Sequence, residues 1–252
     1  MKLNFRKMGQ GDPILILHGL FGSSDNWQSV AKDLSKNFTC YLIDQRNHGL
    51  SPHDSIMNYE VMSLDLKELI QDQQLDTAHI MGHSMGGKTA MTFATKFPEL
   101  VQRLIIVDIG PKEYPPHHDQ IFKGFRSVDL ENLKSRKDAD VMLSEEITDF
   151  GVRQFMLKNL SRNGDKFEWK INLDAIEANA IEIGKALTQD STFKGPTLFI
   201  GGAKSDYIKP EDQPLISHHF PDNTVEMIEG AGHWVHAEKP KDLLNSLIKF
   251  LS

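Results

Sequence analysis

The sequence has one cysteine, no long apolar run and no excess of basic charge, and each shortage removes a class of protein. Cys40 alone cannot close a disulfide within the chain, which fits a reducing compartment. It lies in the apolar run Phe38-Thr-Cys-Tyr-Leu-Ile43 and reads as a buried strand thiol. No stretch approaches the roughly 18 apolar residues that span a bilayer, and Met1–Met8 has no signal-peptide core. Lys and Arg number 28 against 35 Asp and Glu, a net charge of −7. That balance argues against nucleic acid or an anionic membrane as partner. No G-x-G-x-x-G follows a strand and there is no P-loop, so no nucleotide cofactor is implied. The pairs His117-His118 and His218-His219 lack the spacing of a metal site and read as solvated loops. The expectation is a soluble cytoplasmic protein without cofactor or metal.

What is present is an alternation of short apolar runs with helical patterns. Leu3–Met8 reads as an edge strand. Pro13–Leu17, Thr39–Ile43, Ala78–Met81, Leu104–Val107, Pro196–Ile200 and Val225–Ile228 are apolar runs of the kind a parallel sheet buries on both faces. A helix carrying Trp27, Val30 and Leu34 follows the capping residues Ser23–Asn26, and another spans Tyr59–Gln73 with Met62, Leu66, Leu69 and Ile70 on one face. An amphipathic helix over Lys241–Leu251 should bury Leu244, Leu247, Ile248 and Leu251. Between 112 and 190 no strong strand signal occurs. Helical segments at Asp119–Phe125, Asp138–Ile147, Val152–Leu160 and Leu173–Ala186 suggest a helical insertion, since a loop of that length is improbable. The expected organisation is a core of residues 1–111 and 191–252 with a helical cap at 112–190.

The chemistry centres on Gly82-His83-Ser84-Met85-Gly86, a G-x-S-x-G motif between a strand and a helix. In that setting the serine sits on a strained turn with its hydroxyl clear of the sheet, and the glycines remove β-carbons that would clash. A serine hydroxyl needs a base, and His233 follows a Gly-Ala-Gly turn beyond the last strand. His236 is a rival one helical turn further on. An aspartate must orient the imidazole. Asp206 follows the penultimate sheet strand and Asp108 the strand before it, and the residues alone leave the two open. An oxyanion hole needs two N–H donors: Met85, next to the nucleophile, and Leu20 or Phe21 in His18-Gly-Leu-Phe-Gly22. Asp44-Gln-Arg-Asn-His-Gly-Leu-Ser51 reads mainly as a hydrogen-bonded turn, with Arg46 and His48 as its candidates for touching substrate. Phe122, Phe125, Phe155, Met156, Leu157 and Trp234 are candidates for lining an acyl pocket; Lys88 and Arg46 read as solvent-facing salt-bridge partners, with contact to a phosphate-bearing substrate such as CoA as the alternative.

Over essentially its whole length the chain resembles the α/β-hydrolase fold family, and more closely the YbfF-like bacterial esterases, a group related to the mitochondrial abhydrolase-domain proteins. The resemblance rests on His18–Gly22, Asp44-Gln-Arg-Asn-His-Gly-Leu-Ser-Pro52, Gly82–Lys88, Val107-Asp-Ile109 and Gly230-Ala-Gly-His-Trp-Val-His-Ala-Glu-Lys-Pro240. It implies an α/β fold with a mostly parallel sheet of about seven strands flanked by helices, with the cap inserted before the penultimate strand. It also implies hydrolysis of acyl esters and, in some members, acyl-CoA thioesters. In relatives the loop matching Ser205-Asp-Tyr207 often has no carboxylate, which favours Asp108 over Asp206 as the acid. The expected function is a serine esterase on small to medium acyl esters. The alternatives are an acyl-CoA or acyl-carrier-protein thioesterase, a perhydrolase using the same triad, and, from another class, a catalytically weak ligand-binding or sensor protein on a hydrolase scaffold. The sequence leaves the oligomeric state open.

Overall fold

The structure, a computed structural model, describes every residue except His117. The strands are β1 (Phe5–Met8), β2 (Asp12–Leu17), β3 (Phe38–Ile43), β4 (Ala78–His83), β5 (Val101–Val107), β6 (Leu160–Asn163), β7 (Lys166–Trp169), β8 (Thr197–Gly202) and β9 (Asn223–Ile228). The helices are α1 (Gln28–Leu34), α2 (Tyr59–Asp72), α3 (Met85–Lys96), α4 (Asp119–Ser127), α5 (Arg136–Glu146), α6 (Phe150–Leu157), α7 (Leu173–Ala178), α8 (Ala180–Gly184), α9 (Gln213–His219), α10 (Val235–Glu238) and α11 (Pro240–Leu251). Seven strands form one sheet in the order β1-β3-β2-β4-β5-β8-β9, parallel throughout except for β1, which pairs antiparallel with β3 at the edge.

The apolar runs are continuous because both faces of the sheet are covered. Successive side chains alternate across a strand. Leu15, Leu17, Ile80, Leu104 and Ile106 therefore pack against one helix layer, which brings Leu66, Leu69 and Ile70 of α2 and Phe93 of α3. Ile14, Ile16, Met81, Ile105 and Val107 pack against the other, which brings Val30 and Leu34 of α1 and Leu243, Leu247 and Leu251 of α11. Cys40 is fully buried in this second layer, where desolvation pushes its thiol up to about 11. On α11, Leu247 and Leu251 are buried as expected, but the other two expected positions are not. Leu243 faces the sheet, Leu244 is half-buried and Ile248 is 44 % exposed.

The connection from β5 to β8 holds α4–α8 and a third cluster, in which Phe122, Phe125, Leu143, Met156 and Leu157 pack with Phe21, Met57, Met62 and Met85 below them. The expectation that this segment carries no strand is corrected. β6 and β7 form an antiparallel hairpin around Gly164-Asp165, with Gly164 at φ 63°. Its strands are only four residues long and rich in charge, so apolar content conceals them. The edge of Trp169 packs on Phe125 at 4.9 Å. The single helix expected over 173–186 is broken at Asn179, whose amide donates to Ala175 O (2.7 Å) and Ser55 O (2.9 Å), so it caps rather than continues the turn.

Candidate active site

The site forms at the carboxyl ends of adjacent central strands. Ser84 follows β4 at φ 52°, ψ −120°, a conformation that non-glycine residues rarely adopt. The Ser84 N–H donates to Val107 O at 3.0 Å, which ties the elbow to the end of β5. Strand and helix cross so closely that a β-carbon on Gly82 would lie 2.1 Å from Gly86 O, and one on Gly86 2.5 Å from His18 O. Either contact is incompatible with a side chain.

Asp108, one residue beyond β5, is also at positive φ (51°) and is fully buried. Its Oδ1 accepts the Gly202 N–H at 2.9 Å, and its Oδ2 accepts the Ser205 hydroxyl at 2.5 Å and His233 Nδ1–H at 2.7 Å. Asp206 goes elsewhere: 93 % of its side chain is exposed, and its partner is Lys209 at 3.1 Å. The structure thus brings Asp108 to His233 and leaves the rival acid in solvent. The His233 ring is stacked on Tyr207 (4.1 Å, 20°), and its carbonyl accepts His83 Nε2–H at 2.9 Å. Burial holds His83 well below the ordinary histidine range, so the ring is neutral and donates from one nitrogen. Glu238 accepts the N–H groups of Gly232 and Trp234 on either side of His233 (2.8 and 3.3 Å). His236, the rival base, stacks on Trp27 at 4.6 Å and 21°, and burial pushes it down to about 4.

Ser84 and His233 line one cavity of about 150 Å³ together with Leu20, His118, Phe155, Tyr207 and Trp234. Ser84 Oγ has no hydrogen-bond partner among the described residues, so the hydroxyl is unengaged toward that space. Ser84 also borders a second cavity, of about 40 Å³, lined by Leu20, Met85, Lys88, Tyr114, Phe122 and Ile183. Leu20 and Met85 therefore flank the serine. Met85 opens α3, where the first N–H groups have no intrahelical acceptor. Of the two loop candidates, Leu20 is the one whose N–H has no acceptor among the described residues. The Phe21 N–H is taken by His48 Nε2 at 3.1 Å, which corrects the expectation that Phe21 could serve the oxyanion.

The loop 44–51 is the frame for that arrangement. Burial pushes His48 down to about 3, so it is neutral. Its Nδ1–H donates to Arg46 O while Nε2 accepts from Phe21. Arg46 is buried and bonded to Asp65 at 2.7 and 2.9 Å. Asp44 accepts from Ser24, Leu50 and Asn4, so neither Arg46 nor His48 faces substrate space. Of the expected pocket residues, Phe155, Trp234 and Phe122 line the two cavities. Phe125, Met156 and Leu157 instead lie inside the third apolar cluster, because their helix faces point at one another rather than at the serine. Lys88 is not solvent-facing: it is 2 % exposed and donates to the carbonyls of Lys112 and Lys185 (2.9 Å to the latter). His117 lies outside the described residues. His218 and His219 bond Gln189 O and Ser191 O (3.0 and 2.7 Å), so each is a tether to the 189–191 segment. Sequence reasoning missed Tyr207 and Ser205, which support His233 and Asp108. It also missed His83, whose one signal was its place next to the serine at the end of a fully buried strand.

Comparison with known proteins identifies the fold family. The model of the alpha/beta hydrolase fold matches residues 12–240. The chain is 41 % identical to the sn-1-specific diacylglycerol lipase ABHD11 of Xenopus tropicalis, over 96 % of this chain and 78 % of the relative. It is 35 % identical to esterase YbfF of Escherichia coli K12 over 100 % of both chains. Among solved structures, a marine microorganism esterase superposes with a TM-score of 0.96 at 46 % identity, covering 99 % of each chain. On sequence, topology and the strand-end placement of its elbow, the chain belongs to the alpha/beta hydrolase fold family.

Proposed function

We propose that the protein is a serine carboxylic-ester hydrolase. Ser84 attacks the acyl carbonyl and His233 takes the hydroxyl proton. The imidazolium returns that proton to the leaving alkoxide, and water, activated by the same ring, resolves the acyl-enzyme. Asp108 holds the ring by Nδ1 and stabilises its charged form, and the N–H groups of Met85 and Leu20 hold the oxyanion. The observation that carries the reading is the conjunction of a strained, unengaged Ser84 with a His233–Asp108 pair at 2.7 Å beside one cavity. The esterase and lipase names of the similar proteins support the same class. We take residues 112–190 as the cap that roofs the acyl pocket, through Ile121, Phe122, Val152 and Phe155.

The test is turnover of one acyl series offered both as p-nitrophenyl esters and as CoA thioesters, by the wild-type protein and Ser84→Ala. The expected result is ester turnover that falls by at least about 10³-fold in the variant. The preferred series separates an esterase from a thioesterase. Equal inertness of both proteins on both series would favour a binding protein on a hydrolase scaffold.

A further inference from the structure

Lys88 is a buried cation with no anion beside it. It lies one helical turn behind the nucleophile, its N–H donating to Ser84 O at 3.1 Å. Its ammonium donates to two backbone carbonyls, Lys112 O and Lys185 O. An ammonium has three N–H donors and a full charge, so two carbonyls and the Tyr114 ring, whose centroid lies 5.2 Å from Nζ, satisfy it in part. Among the described residues no carboxylate lies within ion-pair distance of Nζ. Glu113 acts on it only from farther away, and Lys112, which repels it, is itself paired with Asp212 at 2.6 Å. A charge kept out of water without a counter-ion is costly, and burial pushes this one down to about 7.

Lys88 also lines the second cavity, which Ser84, Met85 and Leu20 border as well. Two of the three phenols bordering that cavity are committed to carbonyls: Tyr59 OH donates to Ile183 O and Tyr114 OH to Tyr207 O, each at 2.5 Å. Tyr207 and His118 also border it, and Ile109, Phe122 and Ile183 add apolar wall. A short apolar passage thus runs from the nucleophile to a buried, under-compensated ammonium.

We propose that the second cavity receives short acyl groups ending in a carboxylate, with the reacting carbonyl at Ser84 and the far carboxylate on Lys88 Nζ. This rests on the esterase reading above and names its substrate class. An aliphatic methyl at that position would leave the ammonium uncompensated, whereas a carboxylate supplies both the missing acceptor and the missing charge. The small volume of the cavity, about 40 Å³, suits a chain of few carbons.

The experiment compares two p-nitrophenyl esters with the same four-carbon acyl backbone, the hemisuccinate and the butyrate, on wild type and Lys88→Met. In parallel, the thermal midpoint of wild type is followed with added succinate and with added butyrate. The wild-type kcat/KM ratio should favour the hemisuccinate by about tenfold or more, and Lys88→Met should lower that ratio by about tenfold. Succinate should raise the midpoint more than butyrate does. A wild-type ratio at or below one, or a ratio unchanged in Lys88→Met, overturns the inference while leaving an ester hydrolase. Preferential succinate binding without hydrolysis of either ester supports the site and removes the esterase reading. Should Lys88→Met fail to fold, the wild-type ratio and the succinate shift decide alone.

Discussion

At the residue scale, the proposed chemistry rests on Ser84, His233 and Asp108, and several neighbours hold those three. Asp108 accepts from Gly202, Ser205 and His233, so its carboxylate is fixed before any substrate arrives. Replacing it by Asn keeps the shape but presents an amide where Nδ1–H needs an acceptor, which favours the wrong tautomer. The expected loss in kcat for Asp108→Asn is on the order of 10³- to 10⁴-fold. Asp206→Asn, at an exposed residue paired only with Lys209, should stay within about twofold of wild type. Steady-state ester kinetics on the two variants checks both. The acid was the residue the sequence left undecided, since both aspartates follow strands. What separates them is a tertiary fact: β5 and β8 lie side by side, so Ser205 Oγ and the Gly202 N–H, not Asp206, converge on the carboxylate near His233. Ser84 and His233 were legible because the elbow and the final Gly-Ala-Gly turn are local patterns.

At the element scale, the approach of β4 to α3 decides whether the elbow exists. A Gly86→Ala β-carbon would meet backbone oxygens of His18 and Leu17 at 2.5 and 2.6 Å, and backbone cannot swing aside as a side chain can. We expect Gly86→Ala to destabilise the fold by at least about 2 kcal/mol, seen as a lowered urea midpoint, with esterase turnover lost. In the segment between β5 and β8, Phe125 is buried between Phe21 and Trp169 (5.3 and 4.9 Å), so Phe125→Ala should cost about 3–5 kcal/mol by the same measurement. The sheet strands were readable because burial on both faces makes each of them a continuous apolar run. The cap was less so. The β6–β7 hairpin is short and charged, with its signal confined to the Gly164-Asp165 turn, and Asn179 ends α7 through a contact to Ser55 that no local window contains. On α11, Leu244 and Ile248 were expected inside in place of Leu243, because Leu243, Leu244, Leu247 and Ile248 form a stripe wide enough to be centred in two ways.

At the scale of the whole molecule, buried imidazoles tie stability to pH. His236 and His48 stay neutral in the fold down to about 4 and about 3, while the unfolded chain protonates its histidines near 6.5. Below about 6.5 the unfolded state therefore binds more protons. Stability is full above that pH and falls as pH drops toward 4. Thermal melts between pH 7 and pH 4 should show this loss, and His236→Phe should make it shallower. Lys88 acts with the same sign in a higher window. Its folded value near 7 lies below the unfolded 10.5, so its penalty is complete below pH 7 and is relieved as pH rises toward 10.5. Among the described residues no helix is long and apolar enough to cross a membrane, and the −7 net charge keeps surface repulsion between copies appreciable.

The most direct test of the central claim is mass spectrometry of the protein after reaction with a fluorophosphonate, which captures a serine only where a base and an oxyanion hole activate it. The account predicts one adduct, on the peptide carrying Ser84. Ser84→Ala should abolish it, Asp108→Asn should slow it strongly, and Asp206→Asn should leave its rate near that of wild type. No adduct on the wild-type protein, or labelling that proceeds unchanged in Asp108→Asn, would contradict the proposed Ser84–His233–Asp108 mechanism.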